Sequence, residues 1–236
     1  MKYLSTFTGI GGFELGINKA YESNSNQQLT QIEQNRERGN GDIDERGIDV
    51  LSTSRTAPLC VGYSEINKYA TQIYQSHFPN HKNYGDITLI NEKELPDFDL
   101  FVGGFPCQAF SIAGKRGGFD DTRGTLFFDC ARILKEKQPR NFILENVKGL
   151  LSHDSGRTFK TIIATLVELG YCVEWQVLNA KNFGVPQNRE RVFIVGHLGG
   201  IPERKVFPIT ESNPKNIVRT IEIGTVKVRK YAVNIE

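Results

Sequence analysis

Several features that mark common protein classes are scarce in this sequence. It has one methionine, one tryptophan and four cysteines in 236 residues. The cysteines, Cys60, Cys107, Cys130 and Cys172, include no Cys-x-x-Cys pair, so the usual metal-ligand spacing is missing and a reducing compartment is favoured. No apolar run approaches the length of a membrane span, and the N-terminus shows no cationic and apolar leader. These absences predict a soluble cytoplasmic protein with no metal and no membrane partner.

A charge excess of either sign is also missing. The formal net charge is +2, which neither indicates nor excludes a nucleic-acid partner, because a local basic face is enough to hold phosphates. The length is sufficient for one substantial α/β domain with a full core, and hardly for two.

The chemistry is expected in the stretch from residue 100 to residue 114. Phe98 to Val102 is an apolar run with the length of a buried strand, and two glycines end it. Pro106 then fixes the backbone just before Cys107. A cysteine at the carboxyl end of a parallel strand lies where open α/β sheets bind their ligands, although a buried structural cysteine is the alternative.

A glycine-rich turn follows the first predicted strand, Tyr3 to Phe7. The turn Thr8 to Gly12 leads into a helical pattern that continues through Ala20. Such a turn lets a ligand approach the backbone and the free N–H groups at the start of the helix. Its spacing is not that of the dinucleotide-binding motif, so a simple tight turn is the alternative.

The segment from residue 22 to residue 58 contains no aromatic residue and is rich in Asn, Gln, Ser, Glu, Arg and Gly. This composition buries too little apolar surface to offset the entropy of ordering, which predicts a mobile, solvated insertion. A DNA-contacting arm is the alternative. If the segment is left out, the spacing between the glycine turn and Glu65 is close to the roughly 20 residues that usually separate a glycine loop from its ribose-binding acid.

Glu65 lies at the predicted end of a second strand, Leu59 to Ser64, where a carboxylate can accept two ribose hydroxyls. The alternative is that Glu65 only begins the helix predicted over Asn67 to His77. Asp86 is a weaker candidate of the same kind, placed to meet an adenine amino group.

The residues after Cys107 form a glycine-rich loop with three cations, Lys115, Arg116 and Arg123. A lid over a substrate needs such mobility, and its cations would bind phosphates; a plain solvated loop is the alternative. A helix is predicted over Thr125 to Lys137.

Two further strands carry charged side chains at their ends. Glu145 follows the apolar run Asn141 to Leu144, where burial would raise the pKa of its carboxyl group; a structural carboxylate is the alternative. A helix over Arg157 to Leu169 and a strand over Tyr171 to Leu178 come next.

The string Gln187-x-Arg189-x-Arg191 then precedes the last predicted core strand, Val192 to Val195. Its two forked donors suit a phosphate or a base carbonyl, and a surface ion-pair patch is the alternative.

Taken together, these strings resemble the motifs of bacterial cytosine carbon-5 DNA methyltransferases. The string Phe-x-Gly-x-Gly-Gly-Phe at 7–13 is similar to the cofactor loop, and Gly-Gly-Phe-Pro-Cys-Gln at 103–108 to the nucleophile motif. Glu-Asn-Val at 145–147 and Gln-x-Arg-x-Arg at 187–191 follow in the family's order. The resemblance covers nearly all of the chain except 22–58 and the tail after residue 200.

The resemblance implies an α/β, Rossmann-like methyltransferase fold, with a mostly parallel central sheet and helices on both faces. It also implies S-adenosylmethionine as cofactor and a flipped-out cytosine of duplex DNA as substrate, in a restriction-modification setting. The implied cofactor-binding residues are Phe7, Gly9, Ile10, Gly11, Gly12, Glu65, Ile66, Asp86, Ile87, Pro106 and Leu126. The implied catalytic residues are Cys107, Glu145, Arg189 and Arg191. The expected DNA-binding residues are Gln108, Ser111, Lys115, Arg116, Arg123 and Gln187.

The C-terminus departs from the family pattern. A catalytic domain is predicted over residues 1–200, and 201–236 is expected to be a short tail leading to an absent target-recognition domain and final motif. The hypotheses are one half of a split enzyme that needs a second polypeptide, a truncated product, or an inactive remnant. Two other functions stay open: the same reaction on transfer RNA, and a non-catalytic module that binds S-adenosylmethionine.

Overall fold

The computed structural model describes residues 1–37, 56–106, 126–200, 205–209, 216–223 and 226–233. Within these residues the strands are β1 (Lys2–Thr6), β2 (Leu59–Ser64), β3 (Leu100–Gly103), β4 (Asn141–Val147), β5 (Tyr171–Asn179), β6 (Glu190–Leu198), β7 (Asn216–Ile223) and β8 (Val226–Val233). The α-helices are α1 (Gly12–Glu37), α2 (Lys68–His77), α3 (Leu126–Lys137) and α4 (Arg157–Glu168).

The strands form one mixed sheet in the order β2-β1-β3-β4-β6-β5-β8-β7. The first four strands are parallel, whereas β6 runs antiparallel to both of its neighbours, β4 and β5. At the far edge β8 pairs with β5 in parallel, and β7 pairs with β8 in antiparallel. The carboxyl ends of β1 to β4 therefore share one edge of the sheet, which is where α/β sheets of this kind bind ligands.

Alternation along the strands divides the core between the two faces of the sheet. On one face, Tyr3 and Val102 belong to a cluster that packs against Phe13 and Ile17 of α1. On the other face, Leu4 belongs to the large cluster that includes the buried side chains of α3 and α4. Helices thus cover both faces, as predicted.

The first helix is longer than predicted. It continues through Glu37, so residues 22–37 of the predicted insertion belong to α1 rather than to an irregular segment. Helix propagation costs far less than nucleation, so the turns that Phe13 and Ile17 hold against the sheet can extend into the polar residues that follow. The prediction of mobility for residues 38–55 lies outside the described residues.

The sequence also underestimated the extent of the sheet in two places. Strand β4 continues through Val147, so Glu145 lies inside the strand rather than after it. The tail beyond residue 200 contributes β7 and β8, which extend the sheet beside β5. Pairing with β8 satisfies backbone groups that would otherwise remain open at the edge of β5.

No helix in the described part of the chain is long and apolar enough to cross a bilayer. The described residues also contain no group of three or more side chains suited to holding a metal ion. Cys60, Cys130 and Cys172 form no disulfide bond with one another.

Candidate active site

The glycine turn between β1 and α1 has the backbone geometry of a ligand-binding loop. Phe7, Gly9 and Gly11 all have positive φ angles, of 53°, 55° and 97°. The Phe7 N–H donates to the carbonyl of Ser64 at 2.9 Å, which fixes the turn to the end of β2. A Cβ atom on Gly9 would meet no other atom within 4 Å, so this part of the turn is open to a ligand.

Glu65 holds the turn from the neighbouring strand. One carboxylate oxygen accepts the Gly9 N–H at 2.9 Å, and the other accepts the Asn67 N–H at 2.8 Å. Helix α2 is capped by the Asn67 side chain, which accepts from the N–H groups of Tyr69 and Ala70, so Glu65 does not simply begin the helix. Each carboxylate oxygen still has a lone pair for a further donor.

The other predicted cofactor residues differ in exposure. Ile10 and Ile66 are exposed, at 58% and 74% of their surfaces. The Asp86 side chain caps a short 3-10 helix by accepting the Thr88 N–H at 2.9 Å. That turn directs the Ile87 side chain into the core, and the Ile87 carbonyl accepts from the Arg132 guanidinium and from the Ile90 N–H.

The two remaining cofactor candidates flank the stretch that carries the nucleophile motif. Pro106 is exposed, and Leu126 is half-buried against the core. The roles of both residues in cofactor binding stay predictions.

A buried polar cluster beneath the turn was not found from the sequence. The Glu14 carboxyl, in the first turn of α1, is completely buried and accepts the Tyr74 hydroxyl at 3.1 Å. The same hydroxyl lies 2.9 Å from Nδ1 of His81. Burial raises the pKa of Glu14 despite its hydrogen bonds, and burial lowers the pKa of His81. The signal that the sequence offered was a lone carboxylate on the apolar face of α1.

Glu14→Gln is expected to make stability less dependent on pH. Because the folded pKa of Glu14 is raised, its contribution is fully present below the unfolded carboxyl pKa of about 4.3 and is lost as pH rises through the folded pKa. The difference in free energy of unfolding between the variant and wild type should therefore favour the variant more at pH 8 than at pH 5. Urea unfolding at both pH values measures this. Glu168→Gln, an exposed change on α4, is the control, and an equal pH response in both variants contradicts the prediction.

The end of β3 is attached directly to β4. The Asn146 side chain is buried and donates to the carbonyl of Phe105 at 2.8 Å. A Cβ atom on Gly104 would lie 3.1 Å from Oε2 of Glu145. The residues just before Cys107 are thereby fixed beside the Glu145 carboxyl.

Cys107 itself lies outside the described residues, as do the predicted DNA contacts Gln108, Ser111, Lys115, Arg116 and Arg123. The lid prediction falls on the same segment.

Glu145, Arg189 and Arg191 line one cavity of about 320 Å³. Nε of Arg191 lies 2.8 Å from Oε1 of Glu145, and both side chains keep 22% of their surface exposed. Register explains the contact, because Val147 of β4 lies opposite Arg191 of β6 and Glu145 is two residues away on the same face. Burial raises the pKa of Glu145, and the two arginines oppose that shift.

The remaining side chains of the arginine motif point elsewhere. Gln187 is exposed, and its N–H donates to the carbonyl of Val185 at 2.7 Å. Glu190, between the two arginines, forms an ion pair with Lys148 at 3.0 Å, so it lies away from the cavity. The structure thus brings together three of the four predicted catalytic residues.

Comparison with known proteins identifies the family. The model of the C-5 cytosine-specific DNA methylase family matches residues 1–233. The chain belongs to this family. The type II methyltransferase M.NlaIV of Neisseria lactamica is 51% identical over 168 residues, which are 68% of this chain and 40% of the relative. M.HpaII of Haemophilus parainfluenzae is 60% identical over 141 residues, which are 58% of this chain and 39% of the relative.

Solved structures support the fold. The DNMT2 structure from Spodoptera frugiperda aligns with a TM-score of 0.56 at 21% identity, over 87% of this chain and 53% of that one. A putative DNA modification methyltransferase from an E. coli prophage gives a TM-score of 0.56 at 22% identity, over 84% and 47%. The chain spans about 40% of the length of the curated relatives described above.

S-adenosylmethionine is the cofactor that membership of this family implies, and the described residues fit it. The open backbone at Gly9 and Gly12 leaves room beside the first turn of α1. Glu65 offers lone pairs for ribose hydroxyls, and Ile66 presents an exposed apolar side chain next to it. The precise roles of these residues remain predictions.

Proposed function

We propose that this chain is the catalytic part of an enzyme that transfers a methyl group from S-adenosylmethionine to carbon-5 of cytosine in duplex DNA. The observation that carries the proposal is the cavity in which Glu145 meets Arg189 and Arg191, next to the strand end that leads to Cys107. The glycine turn with Glu65 lies at the same edge of the sheet. Relatives named type II methyltransferases support a restriction-modification setting.

Cys107 is the proposed nucleophile. Its thiolate forms a carbon–sulfur bond to carbon-6 of the cytosine, and the electrons of the 5,6 double bond move into the ring. Carbon-5 thereby becomes enamine-like and nucleophilic. When bound, S-adenosylmethionine supplies the methyl group that carbon-5 takes, and the electrons of the broken sulfur–methyl bond stay on sulfur. A base then removes the carbon-5 proton, the carbon–sulfur bond breaks, and the Cys107 thiolate is regenerated.

Glu145 and the two arginines are proposed to stabilise the negative charge that develops on the cytosine ring when the thiolate adds. Burial raises the pKa of Glu145 and so favours its protonated form, and the carboxyl is proposed to place its proton at ring nitrogen 3 as electrons move there. Arg191 is proposed to hold Glu145 in place and to donate to the base carbonyl, and Arg189 adds positive charge beside it.

The substrate base is proposed to leave the helix stack before reaction. Attack at carbon-6 requires access to the face of the ring, which stacking covers in a duplex. Gln108, Ser111, Lys115, Arg116, Arg123 and Gln187 are proposed to hold the surrounding phosphates and bases. Among these only Gln187 lies in the described part of the chain, and its exposure is consistent with contact to DNA.

A methyl-incorporation assay tests the proposal. The chain is incubated with labelled S-adenosylmethionine and, in separate reactions, with duplex DNA or transfer RNA. Label is expected in DNA, at carbon-5 of cytosine. Label in transfer RNA only would support the transfer RNA reaction, and cofactor binding without label in either would support a non-catalytic module.

Sequence-specific recognition is proposed to need a second polypeptide or further sequence. The support is that about 60% of the length of the relatives described above has no counterpart in the matched region. The same assay on a library of duplexes checks this. Methylation by the chain alone is expected to show no sequence preference and to weaken steeply with salt, because phosphate contacts dominate such binding. A clear sequence preference would contradict the proposal.

A further inference from the structure

Asn179, the last residue of β5, connects the two sides of the loop that leads to the arginines. Its side chain is 8% exposed. Its Oδ1 accepts the N–H groups of Lys181 and Arg189, both at 3.2 Å, and its Nδ2 donates to Oδ1 of Asn188 at 2.6 Å. One buried amide therefore holds the start of the loop and the residues that begin the arginine motif.

This hydrogen bonding matters because it joins the two ends of the loop, which opens with a 3-10 helix, Ala180–Phe183. The residues from 181 to 189 are exposed, and β6 begins only at Glu190. The Ala180 N–H donates to the carbonyl of Arg189 at 3.0 Å, so Asn179 and Ala180 both bind the backbone of Arg189. On the β4 side, Lys148 and Glu190 form their ion pair at the end of the β4–β6 ladder.

The position of this segment determines where the arginine side chains lie. Arg191 is the second residue of β6, and its contact with Glu145 depends on the register at the end of the strand. Arg189 precedes the strand, and its backbone N–H is held by Asn179. Without that hold, Arg189 would lose its fixed distance from the carboxyl, whereas Arg191 stays paired between β4 and β5. Misplacement by about 1 Å can cost on the order of 10²-fold in rate.

We infer that Asn179 is a positioning residue that fixes Arg189 beside Glu145 by holding together the two ends of the loop between β5 and β6. The inference rests on the proposed function for its kinetic consequence, but its structural consequence is measurable in the absence of turnover.

Asn179→Ala tests the inference against a matched control. Asn179 caps the 3-10 helix Ala180–Phe183 by accepting the Lys181 N–H. Asn91 caps the 3-10 helix Glu92–Glu94 in the same way, accepting the Lys93 N–H at 3.2 Å, but it lies in the connection between α2 and β3. Asn179→Ala is expected to lower kcat by about 10- to 100-fold with the KM for S-adenosylmethionine changed less than about twofold. Asn91→Ala should leave both constants near wild type.

Asn179→Asp provides the rescue. It keeps the oxygen that accepts from Lys181 and Arg189 and replaces the donor to Asn188 with a second acceptor. The Asn188 amide can turn to donate to that acceptor, so the variant should recover most of the lost kcat. Thermal unfolding of each variant shows whether the fold is intact. Equal kcat in Asn179→Ala and wild type, or equal losses for Asn179→Ala and Asn91→Ala, would overturn the inference.

A titration separates this inference from the proposed function. In the described residues, the charged groups that act on the Glu145 carboxyl are Arg191 and Arg189. If Asn179→Ala moves Arg189 away, the pKa of Glu145 should rise above its wild-type value in a carboxyl ¹³C NMR titration assigned with Glu145→Gln. An inactive wild type would refute the proposed function and leave this measurement valid. An unchanged pKa would refute the inference.

Discussion

Cys107→Ser is expected to reduce methyl transfer by on the order of 10³-fold or more, as removal of a nucleophile does in other enzymes. The physical reason is that a hydroxyl is far less acidic and less nucleophilic than a thiol. Cofactor binding should stay near wild type, because Glu65 and the glycine turn are attached to one another independently of Cys107. The measurement is methyl incorporation into duplex DNA together with the Kd for S-adenosylmethionine.

Cys172→Ser is the matched control for this substitution. Cys172 is a half-buried cysteine on β5, and its replacement should leave turnover near wild type. Substrate DNA with 5-fluorocytosine adds a direct test, because fluorine replaces the proton that must leave and the adduct cannot resolve. A peptide carrying the DNA adduct should map to Cys107. An active preparation that forms no adduct, or a Cys107→Ser variant with wild-type turnover, would remove Cys107 from its proposed role.

Much of the sheet was predictable because local apolar runs mark buried strands. Strand β2 has the predicted bounds, Leu59–Ser64, and α4 begins at Arg157 as predicted. The position of β6 between β4 and β5 was not predictable, because strand pairing is decided by contacts far apart in the sequence. The length of α1 was missed for a related reason, since packing at its start supports a polar continuation that composition alone argues against.

The candidate site shows the same division between local and non-local information. Motif spacing located Glu145, Arg189 and Arg191, which share one cavity. The supporting residues could not be found in this way. Glu65 was predicted to meet a ribose, but its bonds to Gly9 and Asn67 follow from the way two strands end side by side.

Asn179 and Glu14 were missed because a polar residue in an apolar stretch gives no signal of its partner until the fold brings the two together.

Glu145→Gln is expected to reduce kcat by about 10² to 10⁴-fold, the range typical of general acid catalysis. Glutamine keeps the size of the side chain and can still donate a hydrogen bond to ring nitrogen 3. It cannot deliver a proton there, so the loss should fall on kcat while the KM for S-adenosylmethionine changes little. Glu168→Gln, an exposed change on α4, is the control and should match wild type.

The pH profile of the same variant tests the role more sharply. Burial raises the pKa of Glu145, and Arg191 and Arg189 oppose that shift, so the carboxyl is protonated below its folded pKa and loses its proton above it. If Glu145 acts as the acid and Cys107 as the thiolate, the pH profile of wild-type kcat should have a falling limb that requires the Glu145 proton and a rising limb that requires the Cys107 thiolate. Glu145→Gln should keep the rise and lose the fall. A variant that retains the falling limb would show that another group delivers the proton and that Glu145 only orients the base.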